Sequence, residues 1–400
     1  MTYQPAEDTH LLQQILFNQI KKLNKEKLNI CEVGCGSGEI ITSLAKEFPN
    51  NLYYATDINP QAISDTQKLA KQRNVGLNVK EGNFLEPLKN QLFDIIFFNT
   101  PYLPCEEGDR FNKLSIEDRA IYGGRIGCEV TNSFIDSLHD FLHEKTKIYI
   151  LISSLTQPKL VEENLKNNGF EFEVVAKESH FFEELLIYKV QLNEVLKHLL
   201  QNNYTNIKRF DKGKHSYIMQ AKDTNSNTVM IKFGKREYIS KEIYYLKKLQ
   251  DTQYAPQIVE VGYNFVIYKK VEGLTIEKFL EHCRLNKYSL EEIEFIFNRV
   301  FEICYDLDKR GICKDEMTHP NEHIHINTDK LDEIHFIDFE RSSMSNRFEN
   351  TRQFLQFVSK CSFIFEKFEK AIDRGKIISI GKDVDKLHIN HLIMEDLYKY

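Results

Sequence analysis

The chain has 400 residues, of which 42% are hydrophobic and 28% charged, and its formal net charge is −6; that length and composition supply material for two cores and predict two domains. No apolar run approaches the roughly 18–20 residues of a membrane span, and the first residues lack the basic–apolar pattern of a secretion signal. The eight cysteines include no CxxC pair, which argues against a disulfide framework or a structural zinc site and, with the rest, predicts a cytoplasmic protein.

From residue 28 onward apolar runs alternate with amphipathic stretches. The segments 28–34, 51–57, 77–83, 93–99 and 147–153 read as buried strands, with helical spacing over 39–48 and 60–73 between them. Two later runs, 170–179 and 184–192, are close enough to pair antiparallel. Strand–helix alternation predicts a parallel sheet covered on both faces, with the ligand outside the carboxyl ends of the strands. Residues 1–200 carry 21 Lys plus Arg against 28 Asp plus Glu and hold ten of the 17 glycines. That acid surplus disfavours binding to nucleic acid through phosphates.

Strand one runs into Glu32-Val33-Gly34-Cys35-Gly36-Ser37-Gly38 and then a helix. Gly34, Gly36 and Gly38 let the backbone bend and approach a ligand with no Cβ in the way. Strand two ends at Asp57, where a carboxylate can accept both hydroxyls of a ribose, so the pattern predicts a nucleoside site. Strand four ends in Asn99-Thr100-Pro101-Tyr102. An Asn side chain and the next residue's main-chain carbonyl give two acceptors that can hold a planar NH2 by both hydrogens, and Tyr102 can stack on that plane. This grip aims the nitrogen at an electrophilic methyl, so the chemistry expected is methyl transfer by orientation rather than by a strong base.

Tyr3-Gln4-Pro5-Ala6-Glu7-Asp8-Thr9, the glycine loop, Thr56-Asp57-Ile58-Asn59-Pro60, Asn99-Thr100-Pro101-Tyr102 and Gly123-Gly124-Arg125-Ile126-Gly127-Cys128-Glu129-Val130 follow in order. Together they resemble the HemK-type methyltransferases, in particular the short archaeal and eukaryotic branch, over roughly residues 1–190. The resemblance implies a Rossmann-like class I methyltransferase domain, expected over residues 1–192. It implies that Thr9, Glu32, Gly34, Asp57 and Asn83 line a pocket for S-adenosylmethionine and that Asn99 and Tyr102 hold a glutamine side-chain amide. That glutamine would be the one in the Gly-Gly-Gln motif of a class I translation release factor, and a small zinc-binding activator subunit would cover an apolar edge. Two positions depart from the family pattern. Thr100 replaces the first proline of Asn-Pro-Pro-Tyr but keeps the main-chain acceptor, and Asn83 stands where an Asp is common but keeps an acceptor oxygen. Asn-Pro-Pro-Tyr motifs also serve enzymes that methylate adenine N6 on RNA or DNA, and the motif alone does not separate the two acceptors.

Residues 191–203 read as a helical connector, giving a linker over 193–204 and a second domain over 205–400. There the order changes to strands first and helices later. The runs 207–213, 216–223, 228–234, 258–263 and 265–271 predict an antiparallel sheet, 235–250 a helix within it, and the segment from Thr275 on mostly helices. Lys232 ends a strand, Glu242 lies on the following helix, and Asp338-Phe339-Glu340 follows the apolar run 333–337. These elements resemble the eukaryotic-type protein kinase fold, most like small atypical archaeal kinases near the Rio and lipopolysaccharide-kinase groups. The resemblance implies an α+β kinase-like domain in which Lys232, paired with Glu242, steadies ATP phosphates and Asp338 holds Mg2+.

The signatures are altered. Glu316 or Asp315 stands in for the catalytic Asp, and Asn321 or His323 for the metal-binding Asn. Glu340 replaces the last glycine of Asp-Phe-Gly, and the phosphate loop 211–216, with Lys212 and Lys214, keeps only Gly213. His319, His323 and His325 alternate in a way that admits a metal site, although histidines on a strand edge are commoner. A docking module without phosphoryl transfer is the competing expectation for this half.

Overall fold

The computed structural model describes residues 6–23, 27–105, 114–180, 182–213, 215–285, 287–384 and 393–399. Tyr3, Gln4, Pro5 and Lys214, with the Lys212 side chain, lie outside the described residues. The chain divides into two compact units, one of residues 1–213 and 217–227, the other of residues 214–216 and 228–400.

The first unit is built on a seven-stranded sheet of order β3-β2-β1-β4-β7-β9-β8. Its strands are β1 (Asn29–Val33), β2 (Leu52–Asp57), β3 (Asn78–Glu81), β4 (Phe93–Asn99), β7 (Leu142–Ser153), β8 (Phe170–Ser179) and β9 (Glu184–Leu192). The first five neighbours run parallel, and β9 lies antiparallel between β7 and β8. Central strands such as β4, FDIIFFN, are apolar almost throughout because helices cover both faces. Helix α1 (Glu7–Leu23) contributes the fully buried stripe Leu12, Leu16 and Ile20, spaced four residues apart, to the core around β1 and β4. Helices α2 (Glu39–Glu47) and α3 (Pro60–Arg73) complete the two crossovers. This is a Rossmann-like α/β methyltransferase fold.

Strand β7 begins five residues before the expected run. Thr146 donates its hydroxyl to the Phe93 carbonyl at 2.7 Å, which carries the polar stretch LHEKT into the sheet without an apolar pattern. The expected connector divides into the end of β9 and a helix, Glu194–Gln201, because Asn193 caps the helix by accepting from the Leu196 amide. Beyond it, β10 (Thr205–Lys212) and β11 (Ser216–Lys222) pair as an antiparallel hairpin.

Two short strands matter to the site. Strand β5 (Leu103–Pro104) pairs parallel with β6 (Tyr122–Gly124), so the GGRIG segment clasps the chain just after Asn99-Thr100-Pro101-Tyr102. A Cβ on Gly123 would lie 2.3 Å from the Pro101 carbonyl oxygen and 2.2 Å from that of Gly127. The glycine is therefore required by the close approach of two backbones.

The second unit is α+β. Strands β12 (Thr228–Gly234), β13 (Ile258–Val261) and β14 (Phe265–Lys269) form an antiparallel ladder of order β12-β14-β13, with the helix Arg236–Lys248 between β12 and β13 in sequence. A helical part follows, led by the helices Leu290–Lys309 and Glu349–Lys360. This is the α+β order, strands first and helices later, that the sequence predicts for the second half. Strands of two or three residues interrupt the helical half at Leu274–Thr275, Ile312–Cys313, Ile324–Ile326, Ile334–Phe336 and Ser343–Met344. They are too short for a period of two to register in the sequence.

Asp308, near the end of the helix Leu290–Lys309, organises this part. Its Oδ1 accepts from the Asn350 amide and side chain at 3.0 and 2.7 Å, and its Oδ2 from the Thr351 amide and hydroxyl at 2.9 and 2.7 Å. A carboxylate thus satisfies the open N-terminus of a neighbouring helix. Asn350 passes the order on by donating to the Ile312 carbonyl and accepting from the Lys314 amide. Burial raises the Asp308 carboxyl to about 6, against the pull of those donors. Asp308→Ala leaves four donors without an acceptor and is expected to cost roughly 3 kcal/mol or more, read as an earlier transition in urea unfolding of the full chain.

Candidate functional site

At the carboxyl ends of β1, β2 and β4 lies a cavity of about 690 Å3, walled by the starts of α1 and α2, the loops after β2, β3 and β4, and residues 116–133. The glycine loop forms its floor. Gly34, Gly36 and Gly38 all take left-handed φ, at 65°, 53° and 77°, which a side chain would strain. Gly34 and Gly36 face the cavity, whereas Gly38 sits behind it, where a Cβ would come within 2.7 Å of Thr66.

Thr9, Glu32, Asp57 and Asn83 line the same cavity. Asp57 accepts from the Gly36 amide at 2.9 Å and the Asn59 amide at 2.8 Å. It therefore fixes the glycine loop as well as offering its remaining lone pairs to the cavity. Burial raises its carboxyl, with those amides pulling the other way. Glu32 is buried and accepts from the Ile41 amide in the first turn of α2 at 3.2 Å; burial holds its carboxyl well above the usual range. Phe84, at φ 45°, also lines the cavity and packs edge-on against Phe98. Its flat ring beside Asn83 offers a stacking surface that the apolar pattern did not single out.

Asn99, Thr100, Pro101 and Tyr102 form the opposite wall. The Asn99 amide nitrogen donates to Asp8 Oδ2 at 3.0 Å. Its Oδ1 is buried without a hydrogen-bond partner among the described residues. Such an oxygen is costly to leave unsatisfied, so it marks the place of a donor. Thr100 donates both its amide, at 3.3 Å, and its hydroxyl, at 2.8 Å, to the Leu151 carbonyl on β7. Hydrogen bonds thus replace the ring stiffness of the missing proline. Burial, with Asp8 and Glu183 nearby, raises the Tyr102 hydroxyl, which stays neutral.

Residues 24–210 match the family described as a methyltransferase domain. A putative protein N5-glutamine methyltransferase of Methanocaldococcus jannaschii is 36% identical over 185 residues, 46% of this chain and 89% of that protein. This chain belongs to the protein N5-glutamine methyltransferases of the HemK type. Its methyltransferase half uses S-adenosylmethionine as methyl donor. The eRF1 methyltransferase catalytic subunit mtq2 of Schizosaccharomyces pombe is 27% identical over 203 residues, 47% of this chain and 88% of that protein. Among solved structures, the bifunctional kinase-methyltransferase WbdD aligns over 99% of this chain and 91% of its own, at 13% identity and a TM-score of 0.39.

In the second unit, Lys232 and Glu242 form a buried pair rather than a surface one. Lys232 Nζ lies 3.3 Å from Glu242, 2.7 Å from Asp338 Oδ1 and 3.1 Å from Glu340. Burial disfavours its charge, but Glu242 and Asp338 overcome this and Lys232 is held more firmly protonated than a free lysine. Burial also opposes the Asp338 charge, and Lys232 prevails there as well, holding the carboxyl low. Glu340 is itself buried and accepts from the Ser216 hydroxyl at 3.2 Å. Lys314 is fully buried and donates to the Asp338 carbonyl at 3.0 Å.

Of the alternatives left open by the sequence, Glu316 and His323 approach Asp338, while Asp315 and Asn321 are exposed. Burial and the Lys314 charge push His323 down to about 4. The three alternating histidines do not converge: His319 contacts Lys360, and His325 stands opposite His335 across two short strands.

Asp8 belongs to the segment 3–9, but nothing in its spacing shows that it grips Asn99 from 91 positions away. Without that grip the Asn99 amide is free to flip and present a donor where an acceptor is needed. Asp8→Asn is expected to lower kcat roughly 10²-fold, with S-adenosylmethionine affinity by calorimetry within about threefold of wild type.

Proposed function

We propose that the first unit methylates the side-chain amide of the glutamine in the Gly-Gly-Gln motif of a class I translation release factor. The observation that carries this reading is the buried, unpartnered Asn99 Oδ1, oriented by Asp8 and adjacent to the Thr100 carbonyl. In this mechanism those two oxygens accept the two N–H groups of the amide, and Tyr102 packs on its plane. S-adenosylmethionine supplies an electrophilic methyl. Thr9, Glu32, Asp57 and Asn83 would hold that donor, and Asn99 and Thr100 would turn the amide nitrogen toward the methyl it supplies, the nitrogen giving up one proton in exchange. Catalysis comes from positioning and from acceptors fixed in advance. Relatives named for glutamine methylation and for eRF1 support the choice of acceptor.

Purified protein given labelled S-adenosylmethionine is expected to label a release factor and not its variant with the Gly-Gly-Gln glutamine replaced by alanine. Asn99→Ala is expected to abolish transfer. Label entering RNA or DNA instead would mean that the acceptor is the adenine amino group, which meets the same two oxygens.

A relative described as a catalytic subunit supports a small activator subunit, for which zinc binding remains part of the proposal. The outward side chains of edge strand β3 are Asn78, Lys80 and Glu81, all exposed and polar. The opposite edge strand, β8, exposes the apolar Val174, and a subunit docking at the polar β3 edge would rely on main-chain pairing.

For the second unit we propose a nucleotide–cation site in which Lys232 steadies ATP phosphates, Asp338 holds the cation, and a Ser or Thr hydroxyl is the acceptor. Its buried Lys232–Glu242 pair supports this reading. Glu340 occupies one side of Lys232, where it competes with phosphate. Glu340→Gly is accordingly expected to enlarge the ATP-induced rise in melting temperature. Asp338→Ala is expected to abolish ATP-dependent phosphorylation, and a wild-type protein that ATP does not stabilise at all would leave the docking-module role.

A further inference from the structure

Away from the methyl-transfer cavity, the described residues bring one imidazole and two carboxylates to a common point. Ligand atoms of Glu316, His323 and Asp338 all lie within 4.8 Å of one another, on side chains that are neither fully buried nor fully exposed. His323 Nε2 is 3.2 Å from Glu316 Oε2, and His323 Nδ1 is 3.9 Å from Asp338 Oδ2. Each carboxylate has its other oxygen engaged by a cationic side chain: Arg341 donates to Glu316 Oε1, and Lys232 donates to Asp338 Oδ1. Both carboxylates are thereby held with one oxygen turned toward the imidazole. The backbone supports the same arrangement, since Glu316 and Asp338 both take left-handed φ, at 65° and 64°.

The donor set decides which ion this arrangement suits. Mg2+ takes oxygen ligands almost exclusively and keeps several waters, whereas imidazole raises the affinity of first-row transition metals. One imidazole and two carboxylates give three protein ligands with two negative charges, and partial exposure leaves positions for water or a substrate oxygen. We propose that Glu316, His323 and Asp338 form a site for a transition-metal dication of the Mn2+, Co2+ or Zn2+ class in preference to Mg2+, with His323 as the selecting ligand. The inference rests on reading Asp338 as a cation ligand, and it needs no nucleotide.

The test uses the full chain, stripped with a chelator and desalted, and titrated with Co2+ while its visible absorption is followed, with Mg2+ as competitor. Wild type is expected to bind Co2+ at least about tenfold more tightly than Mg2+, with absorption characteristic of a nitrogen-containing site. His323→Asn is expected to lower the Co2+ preference about tenfold or more while Mg2+ still binds, and His325→Asn to leave it unchanged. Glu316→Gln is expected to weaken both ions and serves as the second variant should His323→Asn melt early. A Co2+ preference that persists in His323→Asn would overturn the proposal, as would wild-type protein that binds neither ion, which would leave a metal-free cluster of one imidazole between two carboxylates. ATP-induced stabilisation, measured on the same samples, separates the two readings. Its absence alongside a His323-dependent Co2+ site removes the nucleotide and keeps the metal; its presence with no such dependence does the reverse.

Discussion

A carboxylate from the first turn of a helix fixes which way an amide faces at the end of a strand. The bond from Asn99 to Asp8 joins two points distant in sequence, and the chemistry proposed for the first unit depends on it. A side-chain amide has a donor end and an acceptor end of nearly equal size, and only the acceptor end can hold an incoming NH2. By taking the donor end for itself, Asp8 leaves the oxygen buried beside the cavity and without a hydrogen-bond partner among the described residues. Around this bond the remaining wall is assembled by backbone contacts: Thr100 on the Leu151 carbonyl, and the GGRIG segment clasped against Pro101 and Tyr102.

The parts of this arrangement legible in the sequence are those with a local signature. The glycine loop was legible because left-handed φ at Gly34, Gly36 and Gly38 leaves almost no alternative residue. The parallel strands were legible because burial on both faces leaves β4 apolar but for Asp94 and Asn99. Asp57 could be placed at the end of β2, but its second role, anchoring the Gly36 amide, depends on how β1 and β2 lie side by side. Asp8 and Phe84 act through contacts that no residue period encodes. The early start of β7 stayed hidden for a related reason: Thr146 binds a main-chain oxygen on another strand, an interaction without an apolar signature.

The second unit reverses that balance. Its Lys232, Glu242 and Asp338 were recognisable by type and order, yet their meaning depends on what surrounds them. A lysine facing one glutamate is a grip for phosphate, whereas a lysine shared among Glu242, Asp338 and Glu340 is already crowded with negative charge. Glu340, which in the sequence reads only as a missing glycine, is in space a third partner of the lysine, tied to Ser216. Asp308 and Asn350 hold the backbone of residues 312–314 through a chain of side-chain bonds. The loop carrying Glu316 thus follows a segment fixed by the core of the helical part, not by its own sequence.

The exchange of a proline for Thr100 links the acceptor grip to the integrity of the sheet. A pyrrolidine ring stiffens a loop whatever its neighbours do, but a threonine bonded to Leu151 does so only while β4 and β7 remain paired at Asn99 and Leu151. A local opening of that seam would release the wall proposed to hold the amide and leave intact the side proposed for the nucleoside, which rests on β1 and β2. Donor binding and acceptor binding therefore draw on separate seams of one sheet, and warming can uncouple them: an enzyme that has lost turnover can still be one that has kept its cofactor.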